Sequence, residues 1–396
     1  MKPPRTTFVY FALRRLLKFN ATKVLLASVF LWLTAYEFCR LRYWRGPHSA
    51  FFDGCNAYEW KYSLYREHEA RRLIAGYNAP SDSHVYVKAR MDLTICVSFA
   101  TVKRDGYDYF EASVGSLLEG LDPRERSALC LNILFADTDP SRNPSWGQKW
   151  TDSLADKMGS YDVSEEEFSH LQELEKARNF REKGIFDYIY SLRTCTTTNA
   201  SYIAILEEDI IIADAWMVKT LKALSDISHS WSSSDFAYRN MTSIFSIVQL
   251  VVFAGLLLHR LASGHPYLDY STIGVICFIS VPGFLGLTYM IDKYSLMPLK
   301  GVVEMNAHGC CTQGLVFPPE QVDGLITYLE DMKAGQTDFI IEEYADMARF
   351  TRRDNLEINT RSTWAFWFEE NEPNKLRREH EELSQHPDVQ RMLGHV

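Results

Sequence analysis

Two long uncharged apolar runs in the middle of the chain restrict what it can fold into. They span residues 242–258 and 271–291. A buried helix of this length normally carries a polar stripe, so both runs predict membrane helices, with a buried core helix as the alternative. The linker 259–270 is short and contains Gly264 and Pro266. The two helices are therefore expected to form a hairpin that returns the chain to the side it left.

A third apolar run lies near the amino terminus, at residues 24–38, after a basic tail, 1–23, that contains no acid. This pattern is typical of a signal anchor with a cytosolic tail, and a cleavable signal peptide is the alternative. The run is shorter than the roughly 20 residues of a full span. Lys23 and Arg40 must therefore snorkel, or the host membrane must be thin.

Three spans with a cytosolic amino terminus place residues 46–240 and 292–396 on the same, lumenal side. Neither piece carries its own spanning signal, so we expect one lumenal domain that is interrupted by the hairpin. An even set of six cysteines agrees with an oxidising compartment and allows up to three disulfides. These cysteines are Cys55, Cys96, Cys130, Cys195, Cys310 and Cys311.

The charge balance and the sequons narrow the class of partner. A net charge of -9 argues against a nucleic-acid partner, because phosphate binding relies on a basic surface. Asn199 and Asn240 open glycosylation sequons in the lumenal part, which predicts a glycoprotein. The last stretch, 369–396, is charged and polar, and we expect a frayed helical tail.

The pattern of the predicted lumenal domain indicates an α/β fold. Buried strands are expected at 93–102, 129–136 and 202–206, and helical patterns lie between them. Strands that alternate with helices predict a parallel sheet whose ligands bind at the carboxyl ends of the strands. The polar clusters of the domain fall at those ends.

Three consecutive acids, Glu207, Glu208 and Asp209, lie between the apolar runs 202–206 and 210–212, both of which read as β structure. Neighbouring carboxylates are costly to hold together unless a cation neutralises them. Their hard oxygens suit Mn²⁺ or Mg²⁺, the ions that a nucleotide-sugar transferase needs on its diphosphate. The three acids are therefore the predicted metal ligands, with ordinary acids at an exposed strand end as the alternative.

Polar residues follow the first two strands as well. Lys103 and Arg104 come after the first strand, where a diphosphate or a base would lie, and solvated surface is the alternative. Asp137 and Asp139 come after the second strand and are candidates to accept hydrogen bonds from a ribose or a base. Ordinary turn residues are the alternative there, given Pro140.

A candidate general base lies on the helix that Asp338 opens. An inverting transfer needs a carboxylate that takes the proton of the acceptor hydroxyl. Glu342 is the first choice, and Glu343 and Asp338 come next. The alternative is that these acids only stabilise the first turn of the helix.

The motifs resemble a known group of enzymes in their order along the chain. The matching segments are 100–104, 134–139, 186–188 with 206–210, and 337–342. Their order is similar to that in the N-acetylglucosaminyltransferase IV group. With a membrane hairpin after the acidic motif, the chain resembles the post-GPI-attachment GalNAc transferase family.

That resemblance implies a GT-A-like fold with a Rossmann-like mixed sheet, a UDP-sugar donor such as UDP-GalNAc, and Mn²⁺. It implies inverting transfer to a mannose of GPI anchors in the Golgi membrane, with GPI-anchored proteins or a GPI glycolipid as the acceptor. It also implies that Glu207 and Asp209 hold the metal and that Thr101, Lys103 and Arg104 line the nucleotide side. His308 is a candidate third ligand, since the expected His-Gly pair is not visible at 363–370.

Two other functions stay open on the sequence alone. One is an N-glycan-directed N-acetylglucosaminyltransferase, and the other is a non-catalytic membrane scaffold that binds GPI-anchored proteins. The hairpin favours the GPI acceptor, because a domain tethered at its start and its middle is held near the bilayer, which raises its effective concentration there. The sequence does not fix the oligomeric state.

Overall fold

The computed structural model describes residues 18–46, 49–57, 59–79, 93–227, 240–291, 313–347 and 368–394. The strands are β1 (Ile95–Thr101), β2 (Leu129–Phe135), β3 (Lys157–Gly159), β4 (Tyr202–Leu206) and β5 (Gly314–Phe317). The helices up to β4 are α1 (Asn20–Arg42), α2 (Tyr62–Asn78), α3 (Phe110–Leu118), α4 (Pro123–Ala128), α5 (Lys149–Leu154), α6 (Glu165–Ala177) and α7 (Phe180–Thr196). Those after β4 are α8 (Trp216–Ile227), α9 (Met241–Ser263), α10 (Tyr270–Ile291), α11 (Pro319–Met332), α12 (Thr337–Met347), α13 (Pro373–Ser384) and α14 (Pro387–Met392). A four-residue helix, Gly54–Ala57, precedes α2.

The chain divides into two compact units. Residues 1–59 and 230–303 form one unit, and residues 60–229 and 304–396 form the other. Among the residues that the structure describes, the first unit contains three helices that are long and apolar enough to cross a membrane. These candidate spans are Asn20–Arg42, Thr242–Ser263 and Tyr270–Ile291.

Each of the three helices extends beyond the apolar run that predicted it. The amino-terminal helix has 23 residues, whereas its apolar run covers only 24–38. At 1.5 Å per residue the helix is long enough for a typical hydrocarbon core of about 30 Å, with Lys23 and Arg40 within one turn of its ends.

Polar contacts join α1 to α10 within the membrane unit. The hydroxyls of Ser28 and Ser280 lie 2.8 Å apart, and the indole Nε1 of Trp32 donates to the carbonyl of Gly283 over 2.9 Å. A π-helical segment, Ile276–Ser280, interrupts α10 at this contact. Hydrogen bonds of this kind hold membrane helices together where no hydrophobic force does so. The anchor helix therefore packs on the second helix of the hairpin.

The second unit is a mixed α/β fold around a five-stranded sheet in the order β3-β2-β1-β4-β5. Strands β1 to β4 run parallel and β5 runs antiparallel to β4. The chain moves outward from β1 through β2 to β3 and then returns to β4 on the other side of β1. This reversal makes a crevice at the carboxyl ends of β1 and β4, where ligands of open α/β sheets bind.

Alternate residues of β1 enter cores on opposite faces of the sheet, as the two-residue period of a strand requires. Ile95, Val97 and Phe99 pack with α3 in one core, and Cys96 packs with α7 and α11 in the other. The three strands predicted from the sequence are confirmed, with ends that move by up to two residues, and helices lie between them as expected.

Two expectations about chain segments are wrong. The run 210–212 is not a strand but part of an irregular loop between β4 and α8. The carboxyl-terminal stretch is not frayed in its described part, because α13 and α14 pack on the domain. Leu376, Val389 and Leu393 are buried there, so sparse apolar residues are enough to anchor a charged tail.

One disulfide, between Cys96 and Cys195, joins β1 to α7 across one face of the sheet. Cys130 is buried beside it as a free thiol, because Cys96, its register partner on β1, is already bonded. The expected maximum of three disulfides would need all six cysteines of the predicted lumenal set, so it is not reached. Cys310 and Cys311 lie outside the described residues.

Candidate active site

A cleft of 580 Å³ lies at the carboxyl ends of β1, β2 and β4. Helices α6 and α7 supply its outer wall. Its charged lining comes from Lys103, Asp105, Asp137, Arg142, Glu175, Arg178, Lys183, Asp187 and Glu207. The structure thus brings together three residues predicted from separate strand ends, namely Lys103, Asp137 and Glu207. A cleft with mixed charge at a switch point of the sheet is suited to a polar, phosphorylated ligand.

The middle acid of the motif is bound to an arginine from the first strand end. Glu208 is 6% exposed, and its Oε1 accepts from Nε of Arg104 over 2.6 Å. Its Oε2 accepts from the amide of Val102 over 3.3 Å, and the hydroxyl of Thr101 also bonds to this carboxylate. Burial raises the pKa of Glu208, and these contacts oppose the shift. The guanidinium also lies 3.3 Å from Oδ2 of Asp209.

The three acids do not converge as a single cluster of ligands. Among the described residues, the one group of three metal-ligating side chains with atoms within 4.8 Å of one another is Glu69, Glu119 and Asp214, and it surrounds Arg66. Glu207 faces the cleft, and the side chain of Asp209 is 37% exposed. Two accessible carboxylates of this kind fit a hard divalent ion.

The two aspartates that follow β2 have different surroundings. Asp137 lines the cleft, and its Oδ2 accepts from the amide of Lys103 over 2.7 Å, which ties the ends of β1 and β2 together. Burial raises the pKa of Asp137. Asp139 caps a short 3₁₀ turn by accepting from the amide of Ser141 over 3.2 Å, and it is not among the lining residues. Asp139 thus makes the contacts of a turn residue, and its place on the nucleotide side stays a prediction.

Thr101 lies beneath the cleft and is 1% exposed. Its hydroxyl accepts from Nδ2 of Asn143 over 3.1 Å and bonds to Glu208. It therefore supports the acidic motif from within the domain. A buried hydroxyl in this position contacts the motif and the loop after β2 rather than the open cleft.

A buried ionic cluster forms one wall of the cleft, and the sequence reasoning missed it. Lys183 is 4% exposed, donates to the hydroxyl of Tyr161 over 2.6 Å and lies 3.1 Å from Asp187. It also donates to the carbonyl of Ala136 at the end of β2. Burial raises the pKa of Asp187 to about 6. The available signal was the i,i+4 spacing of Lys183 and Asp187 on α7.

The candidate bases lie on α12, away from the lining of this cleft. Oδ1 of Asp338 accepts from the amide of Phe339 over 3.0 Å, and Glu343 bonds to the hydroxyl of Tyr328. Glu342 is half-buried. The neighbouring Ile340 and Ile341 pack in the core on the α7 face. The choice of base stays a prediction, and His308 lies outside the described residues.

The fold and the cleft define an α/β protein with candidate membrane-spanning helices and a polar ligand site at a switch point of its sheet. A family model described as GPI-N-acetylgalactosamine transferase PGAP4 matches residues 94–352, from β1 through α12. The chain belongs to the GPI-N-acetylgalactosamine transferase PGAP4 family. No curated protein and no solved structure matches the chain.

Membership in this family confirms two predictions, namely the resemblance seen in the motifs and the enzyme class. The protein is a glycosyltransferase, and its family implies GPI-GalNAc transferase activity, which sets aside the non-catalytic scaffold. An enzyme of this class uses a nucleotide-sugar donor and acts on a GPI glycan.

Proposed function

We propose that the protein is a Golgi membrane enzyme with a GT-A-like catalytic domain. It transfers GalNAc from UDP-GalNAc to a mannose of the GPI glycan, with inversion and with a divalent ion, most simply Mn²⁺. The observation that carries the proposal is the cleft at the ends of β1, β2 and β4, which gathers Lys103, Asp137 and Glu207 beside the Arg104–Glu208 pair. The family match supports the sugar and the acceptor.

The donor would lie with its diphosphate toward the ends of β1 and β4. Glu207 and Asp209 would hold the divalent ion, which supplies stabilisation of charge on the leaving UDP. Lys103 and Arg104 contribute positive charge from the same side. Glu208 keeps the guanidinium of Arg104 in place from beneath, so its role differs from that of its two neighbours. Asp137 accepts from the amide of Lys103 and would face the ribose or base of the donor.

The acceptor hydroxyl needs a carboxylate to take its proton as the sugar is transferred. Glu342 is the proposed base, with Glu343 and Asp338 as the next choices. A single displacement with one base and no covalent intermediate inverts the anomeric carbon. With three spans and a cytosolic amino terminus, the catalytic domain would lie in the lumen, on the side where the GPI glycan is displayed.

Binding to the detergent-purified full chain tests this proposal. Binding of UDP, UDP-GalNAc, UDP-galactose and UDP-GlcNAc is measured with Mn²⁺ and with a chelator, on wild type and on Glu207→Ala and Asp209→Ala. We expect metal-dependent binding that favours UDP-GalNAc and that both variants weaken. Asp152→Ala, an exposed carboxylate of α5, is the matched control and should bind as wild type. Equal binding by Glu207→Ala, Asp209→Ala and wild type would refute the metal assignment.

A further inference from the structure

The loop 207–215 carries the acidic motif but belongs to neither a strand nor a helix. Its amide and carbonyl groups therefore lack the regular partners that a sheet or helix provides. Buried backbone groups of this kind must find other partners, because an unpaired one costs free energy. In the described part of the chain, the amide of Glu207 donates to the backbone carbonyl of Gln313 over 3.1 Å, and from Glu208 onward the loop is bound by side chains of α2 and α3.

Two serines on α3 bind the backbone of this loop. Ser113 and Ser116 are both 0% exposed. The hydroxyl of Ser113 donates to the carbonyl of Glu208 over 2.5 Å. The amide of Ile212 donates to the hydroxyl of Ser116 over 2.9 Å, and that hydroxyl donates onward to the Ser113 carbonyl over 2.9 Å. Each serine thus holds one end of the segment 208–212.

Two residues of α2 bind the segment that follows. Arg66 is 0% exposed, and its Nε donates to the carbonyl of Ile212 over 3.1 Å. Its guanidinium also lies 3.1 Å from Oδ1 of Asp214. The hydroxyl of Tyr62 accepts from the amide of Asp214 over 3.0 Å. Together with the serines, these contacts fix the loop at Glu208, Ile212 and Asp214.

This arrangement separates the acids from the groups that hold them. The acidic side chains extend from a turn, where Arg104 pairs with Glu208 and Asp209 and partly offsets the repulsion between like charges. The contacts of the serines, Tyr62 and Arg66 with the loop backbone add to this without using the carboxylates of Glu207 or Asp209. A bound ion requires fixed ligand oxygens, and residues behind the ligands commonly supply that order.

We propose that Ser113, Ser116 and Arg66 are positioning residues that hold the acidic loop so that Glu207 and Asp209 present their carboxylates to one divalent ion. This inference rests on the proposed function, since it assumes that the loop binds the metal and the diphosphate. If the role of these residues were purely structural, replacing them would change folding stability but not metal binding.

Serine-to-alanine variants of the full chain separate the two roles. Ser113→Ala and Ser116→Ala each remove a hydroxyl that contacts the loop. Ser127→Ala is the matched control, because Ser127 is 3% exposed and its hydroxyl donates only to the carbonyl of Arg124 in the same helix, over 2.8 Å. Mn²⁺ binding with UDP present is followed by the electron paramagnetic resonance signal of free Mn²⁺. Thermal unfolding is measured in parallel.

We expect the serine variants to change Mn²⁺ binding but not the KM for the acceptor. Loss of one buried hydrogen bond at the loop should weaken Mn²⁺ binding about 10-fold in Ser113→Ala and Ser116→Ala. The KM for the GPI acceptor should stay at the wild-type value in both variants. Ser127→Ala should bind Mn²⁺ as wild type, even if its unfolding temperature falls as much as those of Ser113→Ala and Ser116→Ala.

Glu207→Ala is included so that two kinds of failure can be distinguished. If Glu207→Ala loses Mn²⁺ while both loop serine variants bind it as wild type, the positioning role is refuted and the proposed function stands. If Glu207→Ala itself binds Mn²⁺ as wild type, the metal assignment fails and the positioning role fails with it. Weaker binding in Glu207→Ala, Ser113→Ala and Ser116→Ala together supports the inference.

Discussion

Replacing Glu208 by glutamine tests whether the middle acid of the motif serves Arg104 or the metal. The carboxylate is buried, with a side chain that is 7% exposed, and Oε1 accepts from Nε of Arg104 over 2.6 Å. Glutamine keeps the shape but removes the charge and offers one acceptor oxygen where Glu208 uses two, so its amide nitrogen must face either Nε of Arg104 or the amide of Val102. The perturbation therefore weakens the contact of this side chain with the guanidinium of Arg104 or with the backbone after β1.

The magnitude follows from the exposure of the two partners. A hydrogen bond to a charged group contributes about 1.5–3 kcal/mol when it is buried. The side chain of Arg104 is 42% exposed, so solvent screening brings the expected loss to about 1.4 kcal/mol, or roughly tenfold in affinity. We expect the KM for the donor to rise by about that factor, because Arg104 steadies the diphosphate.

The assay is GalNAc transfer measured over a series of donor and Mn²⁺ concentrations. In Glu208→Gln the Mn²⁺ concentration for half-maximal rate should stay at the wild-type value, whereas in Glu207→Gln it should rise. Burial raises the pKa of Glu208, and the charged carboxylate exists above that pKa. The lower donor KM of wild type relative to Glu208→Gln should therefore be seen above that pKa and should disappear as the pH falls through it. A shift in the Mn²⁺ midpoint of Glu208→Gln as large as that of Glu207→Gln would refute this reasoning.

Two further predictions concern stability. A Cβ at Gly115 would lie 2.5 Å from the carbonyl oxygen of Ala70, so Gly115→Ala should destabilise the domain by about 1–3 kcal/mol in thermal or denaturant unfolding. Gly184→Ala, with no atom within 4 Å, should be neutral or stabilising, and equal effects of the two changes would contradict the steric argument. His380 donates to Glu125 over 2.9 Å, which raises the pKa of His380 above its usual 6.5. The contribution of this pair to the free energy of unfolding, of the order of 1 kcal/mol, is fully present below pH 6.5 and is lost as the pH rises through the raised pKa. The difference in unfolding temperature between wild type and His380→Gln should therefore shrink with rising pH. A gap that widens would show that the pairing is not what stabilises α13.

Local patterns were enough to predict strands β1, β2 and β4 and the place of the cleft, but not the edge strands β3 and β5 of the described sheet. Strands β1, β2 and β4 are buried on both faces, so each appears as a continuous apolar run in the sequence. Because parallel strands end at one edge, the polar residues after them had to meet there. Lys103, Asp137 and Glu207 do line one cleft for that reason.

The contacts that distinguish the roles of the acids could not be predicted, because they join distant parts of the chain. Glu208 is held by Arg104 from the loop after β1, and the segment that follows Glu208 is held by Arg66 from α2. The run 210–212 looked like a strand, since a short apolar run carries no information about its hydrogen-bond partners. Its carbonyl partner, Arg66, lies 146 positions earlier in the chain.

The antiparallel pairing of β5 with β4 has a consequence for the order in which the protein is made. Strand β4 emerges from the ribosome early, and β5 follows roughly 110 residues later, after both hairpin helices, a delay on the order of ten seconds. During that interval one side of β4 is an open edge, the kind of surface that invites wrong strand pairing. Completion of the sheet is therefore coupled to membrane insertion of the hairpin, and a fault in that insertion would appear as a misfolded catalytic domain.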